Sequence, residues 1–355
     1  MKITIVGSGA IGGLAGAWMH MAGEDVLFVD KWVEHVNAMN QRGLKITGLR
    51  GERLLKVKAA TPEQIADPLE LLIIATKSQH TEEAVQGVQK YVTPATTIVS
   101  LQNGFNVYRI ARNVPDGTRQ VIGSVPDYGG ALVDPGYLEI NNIAPLHIGE
   151  MDGRITDRLR KLQKLFSHFT ETILSDSIAG EIWGKQVYNS LVVMTSLVNA
   201  PIVEVLSAER NCMMAGALVK ESIKVARAAG IDLKPLKGFF DPKIYSPETS
   251  KETKEFLRFI DRVVLPHWKY RKPLNLVKKA SGMWWDIVYR KRKSETRWLL
   301  GDVIEEAKRL GVPVPANERL VNMIYEIEDG KRTMGPQNLD ELESFMKKVG
   351  CVLPT

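Results

Sequence analysis

Short apolar runs separated by longer amphipathic stretches fill the first half of the chain. "KITIV" (2–6) is a β-branched run that ends in glycines, and "AIGGLAGAWMHMAG" follows as a helix up to Gly23. "DVLFVD" (25–30) is a second strand, and "LELLIIAT" (69–76) a third, apolar enough for burial on both faces. "TTIVSLQNG" (96–104) predicts a fourth strand closed by a turn, and "QVIGSV" (120–125) a fifth. Strands alternating with helical stretches predict parallel pairing with right-handed crossovers, hence an α/β, Rossmann-type doubly wound parallel sheet. "GYLEINNIAPLHIGE" (136–150) alternates differently and predicts a hairpin that finishes this domain.

Beyond residue 175 the period changes from strand-like to helical. Helices are predicted at 180–199, 207–229, 250–265, 294–310 and 316–329, with no further strand. The expected architecture is a dinucleotide-binding domain over 1–175 and an all-α C-terminal domain over 176–355. The proline-containing, mixed-charge stretch 231–280 is an insertion in the second of these. The chain has no internal repeat and no low-complexity segment.

"GSGAIG" gives the first helix a chemical purpose. Gly7, Ser8, Gly9, Ala10, Ile11 and Gly12 form a GxGxxG turn directly between a strand and a helix, with a second strand soon after. Gly7 permits the tight turn, Gly9 lets the backbone approach a pyrophosphate, and Gly12 lets the helix pack closely on the strand. The anion then sits at the positive end of the helix. Asp30 ends the second strand, where a carboxylate accepts hydrogen bonds from ribose hydroxyls and repels a 2′-phosphate. That favours NAD over NADP, although Lys31 beside it offsets part of the repulsion; the alternative is a surface aspartate that starts a turn. Lys77 and Asn103 end the third and fourth strands, on the edge where parallel sheets bind ligands. Lys77 either lies along the cofactor or caps a loop, and Asn103 either contacts ligand or serves the Gln-Asn-Gly turn.

In the second half, Lys185 is the only formal charge between Ile182 and Val203. On one helix, positions 185, 189, 192, 196 and 199 share a stripe that reads Lys, Asn, Val, Ser, Asn. A polar stripe on an apolar helix suits the wall of a cleft, and the alternative is a buried polar network. A lysine in such a wall can polarise a carbonyl and donate a proton as hydride arrives.

Composition excludes more than it assigns. Apolar content of 44% and charged content of 25% suit a globular protein, and no uncharged apolar run is long enough for a membrane span. Two cysteines, Cys212 and Cys351, supply no disulfide framework, so the expected compartment is the cytoplasm. Six histidines without ligand spacing predict no metal. Of the net charge of +6, the window from Lys269 to Lys293 carries nine basic residues against Asp286. A solvated basic face, or a field that draws in an anionic small substrate, accounts for it better than nucleic-acid binding.

"GSGAIGG", "ATKSQHTEEA", "LQNG", "WGKQVYN" and "SETRWLLGDVIEEAKRLGVPVPANERL" together resemble the ketopantoate reductase (2-dehydropantoate 2-reductase) family over most of the chain. The resemblance implies a Rossmann-type domain followed by a helical domain. It further implies hydride transfer from a nicotinamide cofactor, NAD or NADP, to a 2-keto acid substrate, while the size of the helical domain makes a homodimer the expected assembly. By position it implies that Lys185 is the general acid, that Asn103 and Asn189 orient substrate and lysine, and that Glu295 holds the substrate hydroxyl or the lysine. For Glu295 the plain reading is a first-turn acid behind the Ser294 cap.

Departures from the family pattern accompany it. Family members usually use NADPH and carry a basic residue near Asp30. Gly282, in "SGMWWD", replaces a serine that typically touches substrate, leaving Ser281 as a stand-in. Val193 stands where a second asparagine is frequent. These departures point to the same chemistry on an altered substrate, with NAD favoured.

Overall fold

The computed structural model describes residues 1–236, 240–269 and 281–355. They form two compact units, Met1–Ile182 and Trp183–Thr355. In the first unit the strands are β1 (Lys2–Val6), β2 (Asp25–Val29), β3 (Leu44–Gly48), β4 (Arg53–Leu55), β5 (Lys58–Ala60), β6 (Leu71–Ile74), β7 (Thr97–Ser100), β8 (Val121–Pro126), β9 (Gly129–Asp134), β10 (Tyr137–Asn142), β11 (Leu146–Glu150) and β12 (Thr172–Leu174). The helices are α1 (Ala10–Met21), α2 (Val33–Arg42), α3 (Thr81–Val88), α4 (Asn106–Ala111) and α5 (Asp157–Ser167).

Eight strands build the main sheet in the order β12-β11-β8-β7-β6-β1-β2-β5, parallel throughout except for the β8–β11 pair. The chain runs outward from β1 through β2 to β5, then crosses back to β6 on the other side of β1. That reversal is the topological switch point, where such sheets bind ligands at their carboxyl ends. β6 shows why the strand is apolar on both faces. Leu71 and Ile73 pack with Ile3, Ile5, Leu14 and Phe28, whereas Leu72 and Ile74 pack with Val6, Val29, Val85 and Ile110.

The hairpin predicted over 136–150 is incorrect. β10 and β11 lie in different sheets, and the true hairpin is β9–β10, closed at Pro135–Gly136 with Gly136 at φ +74°. β10 also pairs in parallel with β3, and β3 with β4, giving a second sheet in the order β4-β3-β10-β9. β11 instead pairs antiparallel with β8. Alternation gives the period of a strand but not its partner. α1 packs against strands of both sheets, and Gly13 allows this, since a Cβ there would lie 2.6 Å from Leu138.

Among its described residues the second unit is helical, as its sequence predicts, apart from an isolated bridge between Leu236 and Phe240. The helix α6 (Ile178–Thr195) contains the boundary between the units. α7 (Ile202–Val205), α8 (Glu209–Ala228), α9 (Ser250–Phe259), α10 (Leu265–Lys269), α11 (Gly282–Trp284), α12 (Leu300–Leu310), α13 (Pro315–Glu328) and α14 (Gln337–Lys348) follow. The helix expected over 294–310 is interrupted: a 3-10 turn, Glu295–Trp298, precedes α12, and the break falls at Leu299. From α8, buried Glu221 accepts from the backbone N–H groups of Ala316 and Asn317 and so caps the start of α13. Part of the expected 231–280 insertion, including Arg271, Lys272, Lys278 and Lys279, lies outside the described residues. Among the described residues no helix is long and apolar enough to cross a membrane.

Candidate functional site

In the first unit the glycine loop joins β1 to α1 at the carboxyl edge of the sheet. Gly7 sits at φ +96°, and a Cβ there would meet the Ala75 and Thr76 backbone within 2.7–2.9 Å. At Gly12 a Cβ would lie 2.3 Å from the Gly7 carbonyl and 2.7 Å from Ala75 Cβ. Gly9 differs, because among the described residues a Cβ there would meet no atom within 4 Å. Its α carbon borders open space at the N-terminus of a twelve-residue helix that no side chain caps. The first turn of that helix carries no acid. A cradle that a Cβ would fill, lined by orphan N–H groups, fits the pyrophosphate of a dinucleotide. Gly9, Ala10 and Ile11 are partly exposed at this edge.

Ser8 is turned into the loop. It is fully buried, its N–H donates to Asp30 Oδ2 (3.0 Å), and its hydroxyl reaches the same oxygen (3.3 Å). Ser8 therefore shapes the loop from inside. Asp30 Oδ1 also accepts from Trp32 N–H (3.0 Å), so the carboxylate fastens β2's end to the glycine loop. Lys31 is turned to Glu83 Oε2 (2.7 Å) and His80 (3.3 Å). This contact with the Lys31 ammonium holds the Glu83 carboxyl below its ordinary value. The cation beside Asp30 is thus engaged by another acid.

The neighbouring strand ends are knitted together by residues that sequence reading missed. Buried Gln102 donates to Thr76 O (2.9 Å) and Thr81 Oγ1 (2.8 Å), linking the loop after β7 to the loop after β6. Buried Asn106 donates to Ser78 Oγ (2.8 Å) and Asn103 O (2.6 Å). Between them Asn103 is exposed and followed by Gly104 at φ +82°, so the turn presents the asparagine outward. Lys77 is partly exposed immediately beyond β6, at the start of the Ser78–His80 turn. Gly7–Gly12, Asp30, Lys77 and Asn103 thus share one edge of one sheet.

In the second unit Lys185 is half-buried, whereas Trp183, Gln186, Val187 and Tyr188 around it are buried. Asn189 follows one turn later on the same face, 9% exposed, and donates to Gln186 Oε1 (2.9 Å). Gln186 in turn donates to the carbonyls of Leu299 (3.0 Å) and Trp298 (3.4 Å). The turn bearing Glu295 is therefore fastened to the lysine helix by Lys185's own neighbour. From the other side, Ser294 N–H (2.9 Å) and Oγ (2.6 Å) donate to Glu328 Oε1. Burial pushes the Glu328 carboxyl up, and the Ser294 bonds oppose this. Replacing Gln186 by leucine leaves the Leu299 carbonyl without its buried donor, at an expected cost of about 1–3 kcal/mol in urea unfolding. Turnover is expected to fall as well, since the Glu295 turn loses its tie; unchanged stability and turnover would show the tie to be incidental.

Ser281 is 3% exposed, caps α11 by accepting from Trp284 N–H (3.0 Å), and meets Ser196 Oγ at 2.8 Å. Its hydroxyl is committed to the stripe rather than turned to the surface. Gly282 is exposed, with open space where a Cβ would stand, and Val193 is wholly buried. Asp286 is buried against Arg292 (2.7 Å), which anchors the basic segment 290–293. Among the described residues no group of three or more metal-ligating side chains is assembled.

Comparison with known proteins places this arrangement in a lineage. Residues 3–153 match the family model described as ketopantoate reductase PanE/ApbA, and residues 177–328 match its C-terminal counterpart. A 2-dehydropantoate 2-reductase of Pyrococcus abyssi is 29% identical over 347 residues, covering 94% of this chain and all of that protein. A D-mandelate dehydrogenase solved with NADH and anilino(oxo)acetate superposes with a TM-score of 0.77 at 21% identity, covering 94% of this chain and all of that one. A dimeric ketopantoate reductase from Staphylococcus aureus superposes with a TM-score of 0.68 at 13% identity, covering 94% and 100%.

Proposed function

The chain belongs to the ketopantoate reductase PanE/ApbA family, and from that premise we propose that it is an NADH-preferring reductase of a 2-keto acid, with ketopantoate as its substrate. It is an NAD(P)-dependent oxidoreductase of the 2-dehydropantoate 2-reductase type. One observation carries the finer reading: a single half-buried ammonium on a helix of buried residues, whose neighbour Gln186 fastens the turn of Glu295.

When bound, the nicotinamide supplies a hydride to the carbonyl carbon of the 2-keto acid. Lys185 donates its ammonium proton to the carbonyl oxygen as charge develops there, so hydride and proton together turn C=O into CH–OH. Its partial exposure allows the proton to be replaced from solvent. Asn189 orients the lysine from one turn away, and Glu295 holds the lysine or the product hydroxyl. Asn103, exposed at the sheet edge, and Lys77 steady the nicotinamide end, while Ser281 supports the stripe through Ser196.

The preference for NADH rests on charge. Asp30 and Glu83 both stand at the end of the loop system, and Lys31 is engaged by Glu83 instead of standing open to a 2′-phosphate. With ketopantoate, kcat/KM for NADH is expected to exceed that for NADPH by about tenfold or more, a difference of roughly 1.4 kcal/mol. Nicotinamide absorbance measures both. A preference for NADPH would refute the reading of Asp30.

A second reading, reduction or oxidation of a different 2-keto or 2-hydroxy acid, is favoured by Gly282 and Val193. One offers open space and the other is sealed in the core, where the family pattern offers polar side chains. The D-mandelate dehydrogenase of similar fold shows the kind of bulkier acid to assay. Tight NADH binding without ketopantoate turnover would select this reading. We also take the chain to be a cytoplasmic homodimer, as the Staphylococcus aureus relative is dimeric. Light scattering that gives the mass of one chain would overturn that assembly.

A further inference from the structure

His35 lies near the start of α2, between exposed Glu34 and a buried Val36, and is itself fully buried. Its Nδ1 accepts from Gly136 N–H (2.9 Å), in the turn between β9 and β10. Nδ1 therefore keeps its lone pair, and the ring proton resides on Nε2, which points at Ser8 O (3.0 Å) and donates to it. The indole of Trp32 lies parallel over the ring, with centroids 5.8 Å apart and planes at 19°. The imidazole is thus fixed at both nitrogens and on one face.

What it fixes is the peptide between Ser8 and Gly9. Asp30 holds the N–H of Ser8, and His35 holds its carbonyl. In a trans peptide the C=O and the following N–H point to opposite sides of the chain. A Ser8 carbonyl directed inward at His35 therefore directs Gly9 N–H outward, toward the open space beside the Gly9 α carbon.

We propose that His35 is a positioning residue for the dinucleotide, aiming the Gly9 N–H at the pyrophosphate through the Ser8 carbonyl; this rests on the reading that the glycine loop takes NAD or NADP. The second sheet, which supplies Gly136, thereby becomes part of the cofactor site without touching the cofactor.

Two variants separate this role from folding. In His35→Gln the longer amide reaches the Ser8 carbonyl, whereas in His35→Asn the shorter one retains an acceptor for Gly136 but falls short of Ser8. Fluorescence titration with NADH is expected to give His35→Asn a Kd about tenfold or more above wild type, with His35→Gln recovering most of the difference. Adenosine, which lacks the pyrophosphate, is expected to bind all three alike, and kcat at saturating NADH is expected to stay within about twofold. Equal NADH affinity of the Asn and Gln variants, or parallel loss of adenosine and NADH, would overturn the proposal. Failure of the wild-type protein to bind either nicotinamide cofactor would instead remove the reading on which it rests.

Discussion

Lys185→Ala is expected to lower kcat for 2-keto acid reduction by about 10²–10⁴ while leaving the Kd for NADH close to wild type. The glycine loop proposed to receive the cofactor, Gly7–Gly12 with Asp30, is built within Met1–Ile182, whereas Lys185 belongs to Trp183–Thr355. Lys185→Arg sharpens the test. It retains a positive charge near the carbonyl oxygen but cannot release a proton at working pH. If the ammonium acts as an acid, arginine is nearly as inactive as alanine. If it acts only as a charge, arginine recovers much of the rate. A Lys185→Ala protein with kcat within about threefold of wild type would leave the family membership intact and remove Lys185 from the chemistry.

What was legible in the sequence follows the range of the forces involved. The strand, glycine turn and helix over 2–23 form a local pattern, and the side chains they place depend on near neighbours. Lys185 was legible for a similar reason: one charge among uncharged residues is visible without knowing any partner. The failures share a long-range cause. The strand 137–142 alternates as expected, yet its partners are β9 and β3, and pairing across sequence distance is not written in alternation. β3 to β5 are short, each carries a basic residue and each is partly exposed, so no run of apolar residues announced them.

The site residues divide in the same way. Those proposed to face ligand were read from strand ends and motifs, whereas those that hold them depend on distant contacts. His35 meets Gly136, 101 positions on, and Gln186 meets Leu299, 113 positions on. Glu328, which clamps Ser294, lies 34 positions beyond it on the next helix but one. Ser8 shows the other side of the same limit. It lies inside a recognised motif, and membership of the motif suggested contact with cofactor, but its hydrogen bonds turn it inward. A motif identifies a loop, and the surrounding fold decides which of its groups remain to bind.

That distinction yields the second large effect, a pair of alanine substitutions three residues apart that part on stability. Gly12→Ala places a methyl 2.3 Å from the Gly7 carbonyl, 2.7 Å from Ala75 Cβ and 2.9 Å from Ile5 Cγ2. Backbone cannot yield at that distance without moving α1 off β1, so about 1–3 kcal/mol of stability is expected to be lost, and NADH binding with it. Gly9→Ala places the same methyl where no atom of the described residues lies within 4 Å, at a φ of −73° that any L-residue adopts. The fold is expected to lose less than about 1 kcal/mol, chiefly because alanine is a poor N-cap. NADH affinity is nevertheless expected to fall by about 10–100-fold, since the methyl occupies the space through which a pyrophosphate reaches the N–H groups of the first turn. Urea unfolding and NADH titration on the two proteins separate the cases: Gly12→Ala fails in both, Gly9→Ala in titration alone. Wild-type NADH affinity in Gly9→Ala would mean that the dinucleotide does not approach the loop at this residue, and the open space beside Gly9 would then require another occupant.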